Sequence, residues 1–305
     1  MDSNRNFREL IQKRWDAGSN ICVGLDPELG SLPAGVTTIR EFNEHIVKAT
    51  AEFACAFKPN IAFYEALGTS GLDELRTLVQ FARSEYPAIP FICDAKRCDN
   101  SNSNRGYIHS IFDLLGFDAI TVHPYMGQEA LHPFLERAEK GIIVLTHTSN
   151  PGAAELQQLE VSLSGQQLEE LSNGPAGSTD NIHRFLSRNC SNHYVMPLYR
   201  VVALKVRNHW NLQNNCGLVA GATFINELAT IRQICDELPL LIPGVGAQGG
   251  DIESVVPGAV NSRGDGMIIS STRAITNAST NSDYADAAHL AALKLNAQIQ
   301  TLRHP

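Results

Sequence analysis

No stretch of the 305-residue chain stays apolar for the roughly 18 residues that a membrane span needs, and the opening Met1-Asp-Ser-Asn-Arg-Asn-Phe7 has no apolar run of signal length. A cytoplasmic protein with no membrane partner is the expectation. Positive charge is in deficit as well. A net charge of -8 opposes long-range attraction to nucleic acid or an anionic surface, though it leaves room for a local anion pocket. The cysteines, at 22, 55, 93, 98, 190, 216 and 235, lack paired metal-type spacing and mostly fall in apolar runs. They read as reduced core thiols. The Asn/Ser run at 100–104 invites comparison with a calcium loop, but Asn104 stands where that loop needs glycine and Ser110 where it needs glutamate. No second histidine stands at ligand spacing from His123, so no metal is expected. Internal repeats and long low-complexity tracts are absent too.

What the chain does have is ordinary globular composition, 43% hydrophobic against 18% charged, which suffices for a substantial core. Short apolar or β-branched runs at 21–26, 54–60, 91–96, 119–124, 142–148, 217–222, 240–246 and 266–272 read as eight strands. Helical spacing fills most gaps between them, as at 39–53, 72–84, 107–115 and 224–238. Eight alternations of strand and helix favour a closed parallel barrel, and 305 residues fit one such unit. The expected fold is therefore α/β, a single (β/α)8 TIM-barrel domain over 1–305. About seventy residues separate strands five and six. Gly, Ser, Asn and Gln crowd 152–192, which reads as an elaborated loop after strand five, and 197–210 has the spacing of the following helix.

In such barrels chemistry gathers at the C-terminal ends of the strands. The richest end here is Asp94-Ala-Lys96-Arg-Cys-Asp99, an ammonium bracketed by carboxylates. Alternation along a strand would point Asp94 and Lys96 to one side. A structural ion network is the plainer reading of the same residues. Lys58, inside Ala-Phe-Lys58-Pro-Asn60, must snorkel or find a counter-ion. Asp26 before Pro27 is a common turn residue as well as a possible substrate contact. Thr148, Ser149 and Asn150 end strand five, Gly244 to Gln248 end strand seven, and Thr272 and Arg273 end strand eight. Gly244-Val-Gly246-Ala-Gln-Gly249 has the form G-x-G-x-x-G, but it follows the seventh strand instead of opening a doubly wound sheet. Phosphate binding by the loops after strands seven and eight suits it better, with Gln248 and Arg273 as side-chain donors.

Val23-Gly-Leu-Asp26-Pro, Phe57-Lys58-Pro-Asn60, Asp94-Ala-Lys96-Arg-x-Asp99, Thr148-Ser149-Asn150-Pro-Gly152 and Pro243-Gly-Val-Gly-Ala-Gln248-Gly-Gly-Asp251, in this order, resemble the orotidine 5′-phosphate decarboxylase family, in particular its longer bacterial-type subfamily. The resemblance implies a homodimer of barrels that converts orotidine 5′-phosphate to UMP with neither metal nor organic cofactor. It implies that Lys96 protonates C6, that Asp94 lies against the departing carboxylate and that Lys58 binds the ribose within the charged network. Asp99 would come from the partner subunit, making each site shared. Asp26 would contact a ribose hydroxyl, Ser149 the pyrimidine edge, and Gln248, Arg273 and the backbone near Thr272 the phosphate. Ser103 keeps the hydroxyl of the family's usual threonine. Three positions depart from the pattern: Cys98 replaces glycine, Asn100 replaces an aliphatic residue that meets the pyrimidine, and His123 replaces asparagine. Two other readings share parts of the motif set. One is a magnesium-dependent sugar-phosphate decarboxylase or aldolase, such as 3-keto-L-gulonate 6-phosphate decarboxylase. The other is a non-catalytic nucleotide-binding paralogue.

Overall fold

The computed structural model describes residues 5–27, 30, 32–180, 182–188, 194–246 and 250–303. Eight parallel strands form its centre: β1 (Ile21–Gly24), β2 (Ala54–Lys58), β3 (Ile92–Arg97), β4 (Ala119–Val122), β5 (Gly141–His147), β6 (Cys216–Ala220), β7 (Leu240–Pro243) and β8 (Met267–Ser271). Their hydrogen-bonded order is β2-β1-β8-β7-β6-β5-β4-β3. The ring closes between β2 and β3, where Phe57 pairs with Phe91 and Asn60 with Asp94. Each of the eight predicted runs overlaps one of these strands, with β3, β5 and β6 each extending one residue beyond its run. Most strand residues are fully buried, as expected of a parallel sheet covered on both faces.

The inside of the barrel is a packed layer. Cys22, Ala56, Ile92, Ala119, Ile143, Val219, Leu241 and Ile268, one from each strand, cluster with Phe7, Ile11 and Trp15. Those last three come from α1 (Phe7–Asp16), whose apolar residues at 7, 10, 11 and 15 share a helical face. Asn6 starts the helix by accepting a hydrogen bond from the Glu9 N–H at 3.2 Å. The helix lies across the N-terminal mouth of the barrel. There the Trp15 indole donates to the Met267 carbonyl at 2.7 Å. Gly141 makes room for it, because a Cβ at that position would stand 2.3 Å from the Phe7 ring. The bottom of the barrel is thus closed.

Between β5 and β6 the described residues hold more than the loop that composition suggested. Strands Glu160–Leu163, Ser187–Arg188 and Tyr194–Pro197 form a small antiparallel sheet. Helix Gly165–Ser172 begins with a full capping box between Ser164 and Gln167. Leu163, Leu168, Leu171, Ile182, Phe185 and Met196 are buried in the same core that covers the barrel's outside. The following helix, Leu198–Lys205, continues as a π-helical turn to Trp210.

Cys22, Cys55, Cys93, Cys216 and Cys235 are buried and unpaired, and Cys98 is half-buried and unpaired, while Cys190 lies outside the described residues. No helix among the described residues is long and apolar enough to cross a membrane.

Candidate active site

The C-terminal mouth of the barrel opens into a cavity of about 930 Å³, a volume suited to a nucleotide-sized ligand. Leu145, Val219 and Leu241 line it together with Asp26, Lys58, Asp94, Lys96, Thr148, Ser149, Thr272 and Arg273. Eight predicted residues therefore meet in one place. Gln248 lies outside the described residues. Asp99 and Ser103 do not line the cavity of their own chain, and neither do Cys98, Asn100 or His123.

Charge concentrates at Asp94. Its Oδ1 accepts from the Lys96 ammonium at 2.7 Å and its Oδ2 faces the Lys58 ammonium at 3.3 Å. Burial alone would push the Asp94 carboxyl up, but the two ammoniums and the Thr121 hydroxyl outweigh it and hold it at about 2. Lys58 behaves in the mirror sense. Its side chain is only 6% exposed, and burial disfavours its charge, yet Asp94 and Asp26 hold the ammonium above its ordinary range. Asp26 is raised by burial, against the opposing pull of Lys58 and of the Asn60 N–H, which donates to it at 2.6 Å. Lys96 differs from Lys58 in being half exposed, its side chain reaching into the cavity. The buried lysine of the pair is Lys58.

Regular alternation does not bring Asp94 and Lys96 together. The β3–β4 register jumps between Cys93 and Arg97, and Lys96 takes a φ of +48°, a left-handed conformation that side-chain-bearing residues seldom adopt. A bulge therefore does what an extended strand was expected to do.

The far wall is built for an anion. Gly244 and Gly246 have φ of +101° and +74°, and the loop closes on itself through Gly246 N–H to the Gly250 carbonyl at 2.9 Å and Gly250 N–H to that of Gly244 at 3.1 Å. Arg273 opens a short helix, Arg273–Thr276, and its exposed guanidinium pairs with no carboxylate among the described residues. Thr272 beside it depends on Gly24, since a Cβ there would stand 1.8 Å from the Thr272 hydroxyl oxygen.

Several supporting residues escape sequence reasoning. Gln157 clamps the β5 loop, accepting from the Thr148 N–H at 2.8 Å and donating to its hydroxyl at 3.0 Å. Gly221, at the end of β6, lets that loop approach, because a Cβ there would lie 2.7 Å from the Ser149 nitrogen. Asn104, fully buried, accepts from the Asp99 N–H at 2.8 Å and donates to its carbonyl at 2.7 Å, fixing the loop that carries Asp99. Asn100 is the N-cap of helix Ser101–Ile108, its side chain accepting from the Ser103 N–H at 3.2 Å. That capping requirement explains an amide where an apolar residue was expected. Among the described residues no three His, Cys, Asp or Glu side chains are grouped as a metal site would require.

A barrel that joins an Asp–Lys ion pair at its floor to a glycine loop and an unpaired arginine at its rim defines a (β/α)8 enzyme acting on a phosphorylated substrate. The profile of the orotidine 5′-phosphate decarboxylase / HUMPS family matches residues 19–177. Orotidine 5′-phosphate decarboxylase of Ralstonia pickettii is 41% identical over 303 residues, covering 98% of this chain and 99% of that one. The chain belongs to the orotidine 5′-phosphate decarboxylase family. Among solved structures, Leishmania donovani OMP decarboxylase superposes with a TM-score of 0.75 at 31% identity, covering 96% of this chain and 99% of that one. Leishmania donovani UMP synthase gives a TM-score of 0.79 at 31% identity, and there the match spans 98% of this chain but 57% of the larger one.

Proposed function

We propose that the chain decarboxylates orotidine 5′-phosphate to UMP and carbon dioxide, the closing chemistry of pyrimidine nucleotide synthesis, as a cytoplasmic enzyme of the longer bacterial-type subfamily. The observation that carries the reading is the Lys58–Asp94–Lys96 array at the cavity floor, with Asp94 bridging a buried and an exposed ammonium. When the bond between C6 and the carboxylate breaks, its electron pair stays on C6 with nothing to delocalise it. Lys96 offers the positive charge that stabilises the pair and then the proton that quenches it, regaining its own proton from solvent. Asp94 lies where the leaving carboxylate would be, and Lys58 and Asp26 serve the ribose. Ser149 takes the pyrimidine edge. Arg273, Thr272 and Gln248 hold the phosphate, whose binding energy orients the reacting end.

The test is the loss of orotidine 5′-phosphate absorbance with and without a chelator. Turnover that the chelator leaves unchanged is expected. A chelator-sensitive rate would favour the magnesium-dependent sugar-phosphate reading, and UMP binding without turnover the non-catalytic one.

The position of Asp99, outside its own cavity on a loop clamped by Asn104, supports a homodimer with shared sites. Helix Ser101–Ile108, which follows that loop, packs on helix Gly127–Leu135, and the segment leading into the latter exposes Tyr125 (81%) and Met126 (48%). Apolar side chains this open beside a clamped carboxylate suit a face covered by a second copy. On this reading Asp99 and Ser103 complete the neighbour's site. Mixing Asp94→Ala and Asp99→Ala chains, each inactive alone, should regenerate one intact site per heterodimer, about one quarter of the wild-type sites at equal mixing. No recovery in a mixture whose heterodimers are verified would overturn the shared site.

A further inference from the structure

The β3–β4 ladder pairs Ile92 with Ala119 and Cys93 with Ile120, then resumes at Arg97 with Val122. Three residues of β3, Asp94, Ala95 and Lys96, thus stand opposite the single residue Thr121 of β4. Such a bulge normally leaves backbone N–H groups without a ladder carbonyl. Here the Thr121 hydroxyl oxygen accepts from the Ala95 N–H at 3.0 Å and from the Lys96 N–H at 3.0 Å, and donates to Asp94 Oδ1 at 2.9 Å. A hydroxyl has one proton and two lone pairs, so every capacity it possesses is used. With both lone pairs occupied by donors, its proton has one direction left, toward the carboxylate. Thr121 is 1% exposed, and the residue it supports carries the left-handed φ of +48°.

We propose that Thr121 is a positioning residue of the reaction: its hydroxyl replaces the missing ladder partners, holds the β3 bulge, and thereby turns the Lys96 ammonium back onto Asp94 and into the cavity. This rests on the decarboxylase reading of Asp94 and Lys96. No substrate contact is required of the threonine, although it reaches the cavity wall. The competing account is that Thr121 merely fills space in the barrel wall. Valine has nearly the same shape and no hydrogen bonds, so it separates the two accounts.

In Thr121→Val, the loss of two acceptors and one donor lets the bulge relax and Lys96 drift. A displacement of about 1 Å at a reacting group costs on the order of 10²-fold. The expected result is a kcat lowered by about that factor with KM for orotidine 5′-phosphate and affinity for UMP changed by less than about threefold, because the phosphate contacts assigned to the β7 and β8 loops lie away from the bulge. Thr121→Ser, which restores the hydroxyl but not the methyl, should recover most of the loss. Amide hydrogen exchange of the wild-type protein gives a second arm that does not depend on the variant folding. The Ala95 and Lys96 amides should be protected as strongly as those of Cys93 and Ile120, and rapid exchange of the pair would overturn the proposal. So would a folded Thr121→Val enzyme that keeps kcat within threefold, or a loss shared equally by kcat and UMP affinity. If wild type itself fails to decarboxylate, the functional reading falls, while the exchange arm still decides whether Thr121 holds the bulge.

Discussion

Lys96→Ala is expected to lower kcat/KM for orotidine 5′-phosphate by at least about 10⁴-fold, because on the proposed reading one side chain supplies both the proton and the charge that the developing carbanion needs. Affinity for UMP, held mainly from the ribose and phosphate ends, should change by less than about tenfold. A lysine that served only as a structural partner for Asp94 would leave turnover largely intact, since Asp94 would keep Lys58 at 3.3 Å. A variant retaining even a tenth of wild-type turnover would remove Lys96 from the chemistry. Single-turnover assays after extensive purification are the measurement, given how little contaminating host enzyme would mask such a loss.

Asp94→Asn should damage both stability and rate. The substitution keeps shape but strips Lys58 of its nearest counter-ion, and breaking a buried pair in this way costs about 3–5 kcal/mol. Asp26 still faces Lys58 and offsets part of that, so about 2–3 kcal/mol of destabilisation at pH 7 is the expectation. The pH dependence fixes the assignment. Asp94 is held at about 2 against an ordinary 3.8, so its contribution is complete above about pH 4 and disappears as pH falls toward 2. Denaturant unfolding of wild type and variant should therefore differ most at neutral pH and converge below pH 4. A gap of unchanged size at pH 7 and pH 3 would mean that the destabilisation comes from something other than the lost carboxylate. The rate should fall by about 10²–10³-fold, since Lys96 loses the carboxylate that anchors it at 2.7 Å.

The sequence speaks clearly about the barrel, and for a physical reason. Strands buried on both faces must be nearly continuous in apolar residues, so runs such as 240–246 and 266–272 stand out against the polar turns between them. Polar residues that interrupt such runs at their ends are conspicuous for the same reason, which is how Lys58, Asp94, Lys96 and Thr272 came to light. The small sheet between β5 and β6 was illegible because its strands are two to four residues long, too short to show a period. Thr121 was hidden differently. A threonine in Ala-Ile-Thr-Val is an ordinary strand residue. Its function exists only against a bulge in another strand, which no local pattern encodes. Asn104 was hidden likewise, its worth lying in three backbone groups that folding brings to it. Lys96 and Lys58 looked interchangeable as cations. Only packing shows that one is sealed in the wall and the other reaches open space.

Because α1 caps the N-terminal mouth with Trp15 and a layer of eight inward side chains fills the interior above it, the cavity is a blind well. Whatever forms at its floor has a single way out. On the proposed reading carbon dioxide leaves C6 beneath a nucleotide whose phosphate is held near the rim, so gas and nucleotide depart through one doorway framed by the β5, β7 and β8 loops. Traffic through that doorway, more than any event at the floor, then sets the ceiling on turnover once the chemistry is fast.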